Sequence, residues 1–171
     1  IMILSDRDIK KYIKEGKIDI IPRPNLKEQV GPASIDFRLG NEFRIFNHIK
    51  KPFIDPKDPS SFKGLTTMLR LKKDEPFVLQ PNQFVLGVTK EELYISEAVG
   101  ARIEGKSSWG RLGLIVHSTA GYIDPGFKGR LTLEMLNIGQ VPILLRPGIK
   151  ICQIAFEDLS SPAEVSYSQR K

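Results

Sequence analysis

Residues 130–136 read RLTLEML, and this alternation of polar and apolar side chains is typical of a β-strand. One side of the strand would carry Leu131, Leu133 and Met135, and the other Thr132, Glu134 and Leu136. A carboxylate between apolar neighbours in mid-strand is unusual for a solvated face, and burial raises the pKa of such a group. Glu134 is therefore a candidate proton acceptor and donor. The alternative is a structural pair with an arginine.

Similar short runs extend in both directions from this stretch. We predict strands at residues 18–21, 34–39, 42–46, 77–79, 84–89, 98–103, 112–116, 130–136 and 149–156. Turn residues separate these runs, as at Asp124-Pro125-Gly126. Residues 47–67 contain several prolines and little periodicity, so we expect a long excursion with little regular structure there.

The start of the chain predicts the one clear helix. Ser5 is a candidate N-cap with Asp8 three positions on, and Gly16 supplies a stop. Many short strands after one leading helix indicate a mainly β fold, either a barrel or a sandwich. The sequence has no evident linker or internal repeat, so we predict a single domain over residues 1–171.

The composition restricts the class of protein. The chain is 40% hydrophobic and 27% charged, which is ordinary for a soluble protein, and we expect neither a membrane span nor a signal peptide. Its net charge of +6 is interspersed, without helix-turn-helix or zinc-finger spacing, so we expect no nucleic acid partner. A solvated surface is the default interpretation, and a small polyanionic ligand comes next. Cys152, the single cysteine, lies in an apolar run, which favours a core residue in a reducing cytoplasm over a nucleophile.

Two loops that precede the 130–136 strand carry further polar signals. Residues 105–111 read GKSSWGR, in which hydroxyls, backbone N–H groups and two cations suit a phosphate, although the spacing is not that of a Walker loop. The alternative is a serine-rich helix start with an exposed Arg111. Residues 118–129 read STAGYIDPGFKG. In this tight loop Asp124 either caps a turn or meets a sugar hydroxyl or a metal-bound phosphate.

Metal and triad chemistry have little support in the sequence. The two histidines, His48 and His117, have no ligand-like spacing, and the zinc deaminase signature is absent. No Gly-x-Ser-x-Gly elbow occurs either. We therefore expect no zinc, and we interpret His117 as a satisfied core histidine in an apolar strand.

Taken together, these segments resemble the dCTP deaminase family, a branch of the trimeric dUTPase superfamily. The resemblance is carried by residues 3–9 (ILSDRDI), residues 31–40 (GPASIDFRLG), the loops at 105–111 and 119–129, and Thr132-Leu133-Glu134. It covers nearly the whole chain. It implies a distorted β-barrel or jelly-roll of the dUTPase-like type, a homotrimer with active sites between subunits, and zinc-independent deamination of dCTP.

The resemblance also implies roles for individual residues. Glu134 would be the general base and acid, and Arg111 would organise it. Ser107 and the backbone carbonyl of Ala120 would hold the attacking water. The implied substrate contacts are Lys106, Ser107, Ser108, Trp109, Gly110, Arg111, Asp124, Thr132, Leu133, Glu134, Gln153 and Tyr167. Mg²⁺ would be bound with the triphosphate, by bridging phosphate oxygens, without a direct protein ligand.

The family has two branches, one of which releases dUTP while the other hydrolyses it further to dUMP and diphosphate. Gly121-Tyr122 and Gln153 resemble the dUMP-forming branch, because the other branch typically carries a histidine after Thr119-Ala120. We therefore favour an enzyme that supplies dUMP for thymidylate synthesis. The alternatives are a monofunctional enzyme, either a dUTP-releasing deaminase or a plain dUTPase, and, more distantly, a non-catalytic nucleotide- or nucleic-acid-binding β-domain.

The tail after Ser161 is polar, and we expect it to order only on binding a ligand. Tyr167 resembles the family's tail contact. The resemblance also implies later lid residues that close over the nucleotide, and these are not found before Lys171. We therefore expect a truncated lid segment.

Overall fold

The computed structural model describes residues 2–47 and 52–170, so His48 lies outside the described residues. Three short α-helices are present in this part of the chain: α1 (Asp6–Glu15), α2 (Leu26–Gln29) and α3 (Ser107–Gly110). The strands are β1 (Met2–Ile3), β2 (Ile18–Ile21), β3 (Ile35–Phe46), β4 (Thr66–Arg70), β5 (Phe77–Leu79), β6 (Phe84–Ile95), β7 (Val99–Gly105), β8 (Leu114–Ile115), β9 (Tyr122–Ile123), β10 (Lys128–Asn137), β11 (Ile143–Leu145) and β12 (Lys150–Asp158). Short 3-10 helices lie at Pro59–Phe62 and Tyr167–Gln169.

Helix α1 begins and ends where the sequence predicts. The Ser5 side chain accepts a hydrogen bond from the Asp8 backbone N–H, and Gly16 ends the helix in the left-handed conformation at φ 72°. The N-terminal turn carries Asp6 and Asp8, and the last turn carries Lys14, as the helix dipole favours. The predicted leading helix is therefore confirmed.

Ten of the described strands form one curled antiparallel sheet. Its order is β8-β10-β6-β3-β12-β7-β9, with β1 on β12, β2 on β6 and β4 on β3. Strands β5 and β11 form a separate two-stranded sheet. The large sheet curls into a half-barrel, which confirms a mainly β, distorted-barrel fold. Residues 105–134, which hold most of the candidate site, lie along β10 and the loops between β7 and β10.

Several predicted boundaries are wrong. Residues 34–39 and 42–46 are not two strands, because β3 runs continuously and absorbs a register shift against β6 between Leu39 and Phe43. Strand β6 runs to Ile95 instead of ending at residue 89. In the predicted strand 112–116, the Leu112 and Gly113 N–H groups bond back to Trp109 and Gly110, so the backbone turns and β8 begins only afterwards. The described part of 47–67 contains a 3-10 helix and the start of β4, and α2, β9 and β11 were not predicted.

The core lies against one face of the sheet. Leu131, Leu133 and Met135 are buried there, as the alternation in β10 predicts. Cys152 is also fully buried, and burial raises the pKa of its thiol, so the prediction of a core residue is confirmed. The second face of β10 is only partly covered, and it is the face that carries Glu134.

One buried ion pair fixes β3 against β6. Glu91 is completely buried, and its carboxylate accepts hydrogen bonds from Arg38 Nε at 2.6 Å and from the Arg38 backbone N–H at 2.7 Å. A buried carboxylate without such donors would strongly destabilise the fold. The pair therefore holds the register of the two central strands next to the β3 bulge.

Candidate active site

The Glu134 carboxylate is held by the loop that follows β8. Its Oε2 atom accepts hydrogen bonds from the Ser118 N–H at 3.1 Å, the Thr119 N–H at 3.0 Å and the Thr119 hydroxyl at 3.3 Å. Strand β10 presents the side chain in register with Leu86 of β6. The carboxylate therefore ties the loop to the strand and has a fixed position.

These donors lower the pKa of Glu134. The main cause is the hydrogen bond from the Thr119 backbone N–H, which outweighs the opposing effect of burial, and the Ser118 N–H acts in the same direction. The expectation of a raised pKa is therefore wrong, because the donors favour the ionised form more than burial disfavours it. Glu134 is therefore held in its ionised form.

A cleft of about 210 Å³, here called the carboxylate cleft, surrounds Glu134. Other predicted site residues line it, namely Ala120, Tyr122, Asp124, Thr132 and Tyr167. They come from β9, β10, the turn before β10 and the tail. The structure thus brings together these parts of the predicted site from separate stretches of sequence.

The serine-rich loop lines a second hollow of about 480 Å³, here called the serine-loop cleft. Lys106, Ser107, Ser108, Gly110, His117 and Gln153 line it. The Ser107 and Ser108 side chains are exposed at the start of α3, as a phosphate site would need. Lys106 also donates to Asp36 at 2.5 Å, and Lys150 lies 3.6 Å from the same carboxylate, so Asp36 anchors the loop to β3 and β12.

Three predicted contact residues line neither cleft. Trp109 donates its indole N–H to the Lys150 carbonyl at 2.8 Å and packs against the core, so its side chain anchors the loop. Leu133 is fully buried on the opposite face of β10 from Glu134. Arg111 is exposed, and among the described residues it forms no ion pair with Glu134. These three residues thus lie outside both clefts, and Ser107 lines a different cleft from Glu134.

His117 differs from its interpretation as a satisfied core histidine. It lies beyond the end of β8 in the loop, is half-buried, and its buried Nδ1 has no hydrogen-bond partner within the described residues. The ring lies against Gly121, where an added Cβ would be 2.9 Å from Cε1 and 3.2 Å from Nδ1. The strand assignment fails because the chain turns at Val116, and the ring borders the serine-loop cleft instead.

Comparison with known proteins places this geometry in a family. Residues 3–159 match the family described as dCTP deaminase-like. The chain belongs to the dCTP deaminase-like family. A relative from Methanothermobacter thermautotrophicus, named dCTP deaminase, dUMP-forming, is 52% identical over 96% of this chain and 83% of its own length. A relative of the same name from Dictyoglomus thermophilum is 50% identical over 99% of this chain and 87% of its own length.

The dCTP deaminase-like chain is also similar to a third relative and to a crystal structure. A relative from Thermomicrobium roseum, named dCTP deaminase, is 43% identical over 99% of this chain and 86% of its own length. The crystal structure of a 2'-deoxycytidine 5'-triphosphate deaminase from Agrobacterium tumefaciens superposes with a TM-score of 0.69 at 24% identity. It covers 92% of this chain, which spans about half (48%) of that protein. At this identity the likeness supports the fold alone.

In this dCTP deaminase-like chain the tail is already packed on the carboxylate cleft. Ser166 is buried against Gly126, the Tyr167 N–H donates to the Pro125 carbonyl at 2.9 Å, and the rings of Phe127 and Tyr167 are 5.5 Å apart. These residues therefore have packing partners within the chain, and the expectation that the tail orders only on binding a ligand stays a prediction. The polar composition of the tail does not predict these contacts, which are made by one buried serine, by backbone groups and by one aromatic pair.

Gly121 and Tyr122 lie directly beside β7, where the Ile103 N–H donates to the Gly121 carbonyl at 2.7 Å and Tyr122 pairs with Arg102. The Tyr122 hydroxyl lies over Gly100, where an added Cβ would be 2.5 Å away, and the Arg102 guanidinium is 5.8 Å from the Tyr122 ring. Glu157 holds Arg102 in place at 2.6 Å. The sequence analysis identifies Tyr122 but does not predict its contacts, because Gly100 and Arg102 belong to no recognisable motif.

We also searched the described residues for groups of metal ligands and for helices that could span a membrane. No group of three or more His, Cys, Asp or Glu side chains in this part of the chain is arranged to hold a metal ion. None of the described helices is long and apolar enough to cross a membrane.

Proposed function

We propose that this chain deaminates dCTP and then hydrolyses the dUTP to dUMP and diphosphate, working in the cytoplasm as part of a homotrimer. The observation that carries the proposal is the 52% identity, over nearly the whole chain, with a relative that bears the name dCTP deaminase, dUMP-forming. The geometry agrees with it, because an ionised and fixed carboxylate lies in a cleft beside small polar loops. The single buried thiol of Cys152 fits a reducing compartment.

Deamination needs a base for water and a proton for the cytosine ring. Glu134 would take a proton from a water that attacks C4, and the protonated carboxyl would pass it to N3. The C4–N bond of the tetrahedral intermediate then breaks, and the amino group leaves as ammonia after receiving the second water proton. The lowered pKa of Glu134 keeps it ionised and makes its protonated form a better donor to N3, and a bound nucleotide that covers the cleft would raise the pKa and so strengthen Glu134 as a base.

The groups that would hold the water and offset charge lie in two clefts. The Ala120 carbonyl belongs to the loop tied to Glu134, whereas Ser107 belongs to the serine loop, next to the exposed Arg111. A homotrimer in which the serine loop of one subunit meets the carboxylate cleft of the next would complete the site. Closed symmetry of this kind repeats the same contact three times.

The second step would cleave the bond between the α-phosphorus and the oxygen that bridges to the β-phosphate. A water attacks the α-phosphorus, and diphosphate leaves with the bridging oxygen. Asp124 lines the same cleft as Ala120 and favours a water near the α-phosphate, whereas the His117 ring occupies the space that a side chain at Gly121 would take. The Tyr122 hydroxyl lies over Gly100, and this contact keeps the tyrosine ring at the edge of the carboxylate cleft.

Triphosphate binding would use the serine-loop cleft. The Ser107 and Ser108 hydroxyls and the backbone of α3 supply donors, and Lys106 adds charge while it shares Asp36. Following the resemblance to the family, Mg²⁺ would be carried by the phosphate oxygens. Such a cation, when bound, would neutralise the negative charge of the triphosphate.

A product assay tests the proposal. The chain is incubated with dCTP, and ammonia, dUTP, dUMP and diphosphate are resolved over time. We expect ammonia, dUMP and diphosphate in equal amounts. Accumulating dUTP would contradict the second step, and turnover of dUTP without attack on dCTP would contradict deamination.

A further inference from the structure

A basic hollow of about 360 Å³, here called the lysine hollow, lies where neighbouring strands lose register. Strand β3 shifts against β6 between Leu39 and Phe43, and β10 shifts against β6 between Arg130 and Thr132. Bulges of this kind re-aim side chains and often border binding sites. Apart from Arg130, the residues that line the hollow do not line either cleft of the proposed active site.

The charge of the lysine hollow is strongly one-sided. Lys72, Lys73, Lys90 and Arg130 line it, against the single acid Asp74. Among the residues that the structure describes, none of the three lysine ammonium groups has an ion pair or hydrogen bond. Arg130 is shared between Glu42 and Glu92, each 3.7 Å away. Gathering unpaired like charges is unfavourable without an anion, and it creates a positive potential that attracts one.

The backbone around the lysine hollow is fixed by local features. Gly40 passes so close to β6 that an added Cβ would be 2.9 Å from the Val88 carbonyl. Asp74 has a φ of 65°, which is uncommon outside glycine, and its carbonyl accepts a hydrogen bond from Arg146 at 3.4 Å. The Glu75 carboxylate accepts the Lys72 backbone N–H at 2.8 Å. The turn that carries Lys72 and Lys73 is therefore held in place by hydrogen bonds of the protein itself.

We propose that the lysine hollow binds a polyphosphate anion at a site separate from the active site. Three free ammonium groups act as point charges for phosphate oxygens. The hollow has no aromatic lining, so it lacks a platform on which a base would stack. The anion is either free inorganic polyphosphate or the phosphate tail of a nucleotide, because both present the same chemistry.

The test titrates inorganic tripolyphosphate at low ionic strength, by calorimetry, into the wild type and three variants. Arg111→Gln removes the exposed cation that follows the serine loop, so we expect it to weaken binding there and reduce its overlap with the lysine hollow. In that background Lys73→Gln/Lys90→Gln should weaken tripolyphosphate binding about tenfold, since exposed ion pairs of modest strength are lost. The matched control Lys14→Gln/Lys27→Gln removes the same charge elsewhere and should change binding by less than about twofold.

A second measurement locates the ligand. Acylation of lysines followed by mass spectrometry should show that tripolyphosphate protects Lys73 and Lys90 but not Lys14 or Lys27. Protection by dCTP as well assigns the site to the phosphate tail of a nucleotide, and protection by tripolyphosphate alone assigns it to the free anion. Equal labelling with and without both ligands, or equal affinity of the two double variants, would overturn the proposal.

The outcome is independent of the proposed reaction. Lys73→Gln/Lys90→Gln should leave the rate of ammonia release from dCTP unchanged at low substrate. If the wild type releases no ammonia, the reaction assigned above fails, whereas lysine-dependent binding of tripolyphosphate still supports the hollow as a site.

Discussion

At the scale of single residues, the geometry of Glu134 has a functional consequence. Three donors from Ser118 and Thr119 converge on one oxygen, Oε2, so the carboxylate is fixed in place. A carboxylate held in this way does not have to be ordered when substrate arrives, and this lowers the entropic cost of reaching the reactive geometry. The same donors keep it ionised.

Replacing Glu134 tests its role in proton transfer. Glu134→Gln keeps the shape and one acceptor for the Thr119 N–H but cannot take a proton. We expect dCTP binding within about threefold of wild type and ammonia release slower by about 10² to 10⁴, the range typical of general acid–base catalysis. Steady-state kinetics and nucleotide titration measure both quantities. The matched control Glu97→Gln, at an exposed carboxylate, should behave as wild type, and normal turnover by Glu134→Gln would refute the mechanism.

The lowered pKa of Glu134 also predicts how stability depends on pH. A folded pKa below the unfolded value of 4.5 means that the ionised form stabilises the fold. This contribution is fully present above pH 4.5 and is lost as the pH falls through the folded pKa. We expect Glu134→Gln to be less stable than wild type near neutral pH, with a gap that closes in acid. Urea denaturation of both proteins across this range measures it, and a gap independent of pH would contradict the assignment.

At the scale of elements, the turn before β10 and the tail form one unit. Gly126 has a φ of 79°, and an added Cβ would lie 2.5 Å from the Ser166 Cβ. This close approach lets the tail place Tyr167 beside Phe127 at the mouth of the carboxylate cleft. The position of the tail therefore depends on glycine at position 126, in the turn before β10.

Substitution of Gly126 separates this contact from backbone strain. Gly126→Ala has to displace Ser166, whereas Gly64→Ala, at a φ of 77°, meets nothing within 4 Å. We expect both variants to lose about 1 kcal/mol of unfolding free energy from the backbone alone. Gly126→Ala should lose a further 1–3 kcal/mol, roughly the cost of overpacking. Denaturant titration compares the two, and proteolysis should cut the tail faster only in Gly126→Ala; equal losses would mean that the contact does not hold the tail.

At the scale of the whole molecule, the two clefts predict that subunits share active sites. Glu134→Gln and Arg111→Gln would each be inactive alone. When equal amounts of the two variants are co-expressed and assemble at random, a site between subunits has both wild-type groups in about a quarter of cases, averaged over all trimers. Ammonia release should therefore recover to roughly a quarter of the wild-type rate. No recovery in confirmed mixed trimers would place Glu134 and Arg111 in the site of one subunit.

The sequence predicts the fold and the separate site segments better than it predicts their contacts. Alternation finds the core face of β10 and its carboxylate, because burial acts on every second side chain. It misses the 112–113 turn and the direction of the Glu134 pKa shift, because both depend on backbone N–H groups whose partners are not encoded by spacing. The seat of Trp109 and the tail contacts are missed for the same reason, since each joins segments that are distant in sequence.

The contact between Gly121 and His117 couples the effects of substitutions at positions 117 and 121. Any side chain at position 121 needs the imidazole ring to move first, because the space is already occupied at 2.9 Å. The energetic effects of changes at the two positions are therefore not additive. With His117 present, a side chain at position 121 destabilises the loop, whereas with a smaller residue at 117 the same substitution has little effect. The order in which the two substitutions arise therefore decides whether the loop of the intermediate sequence stays folded.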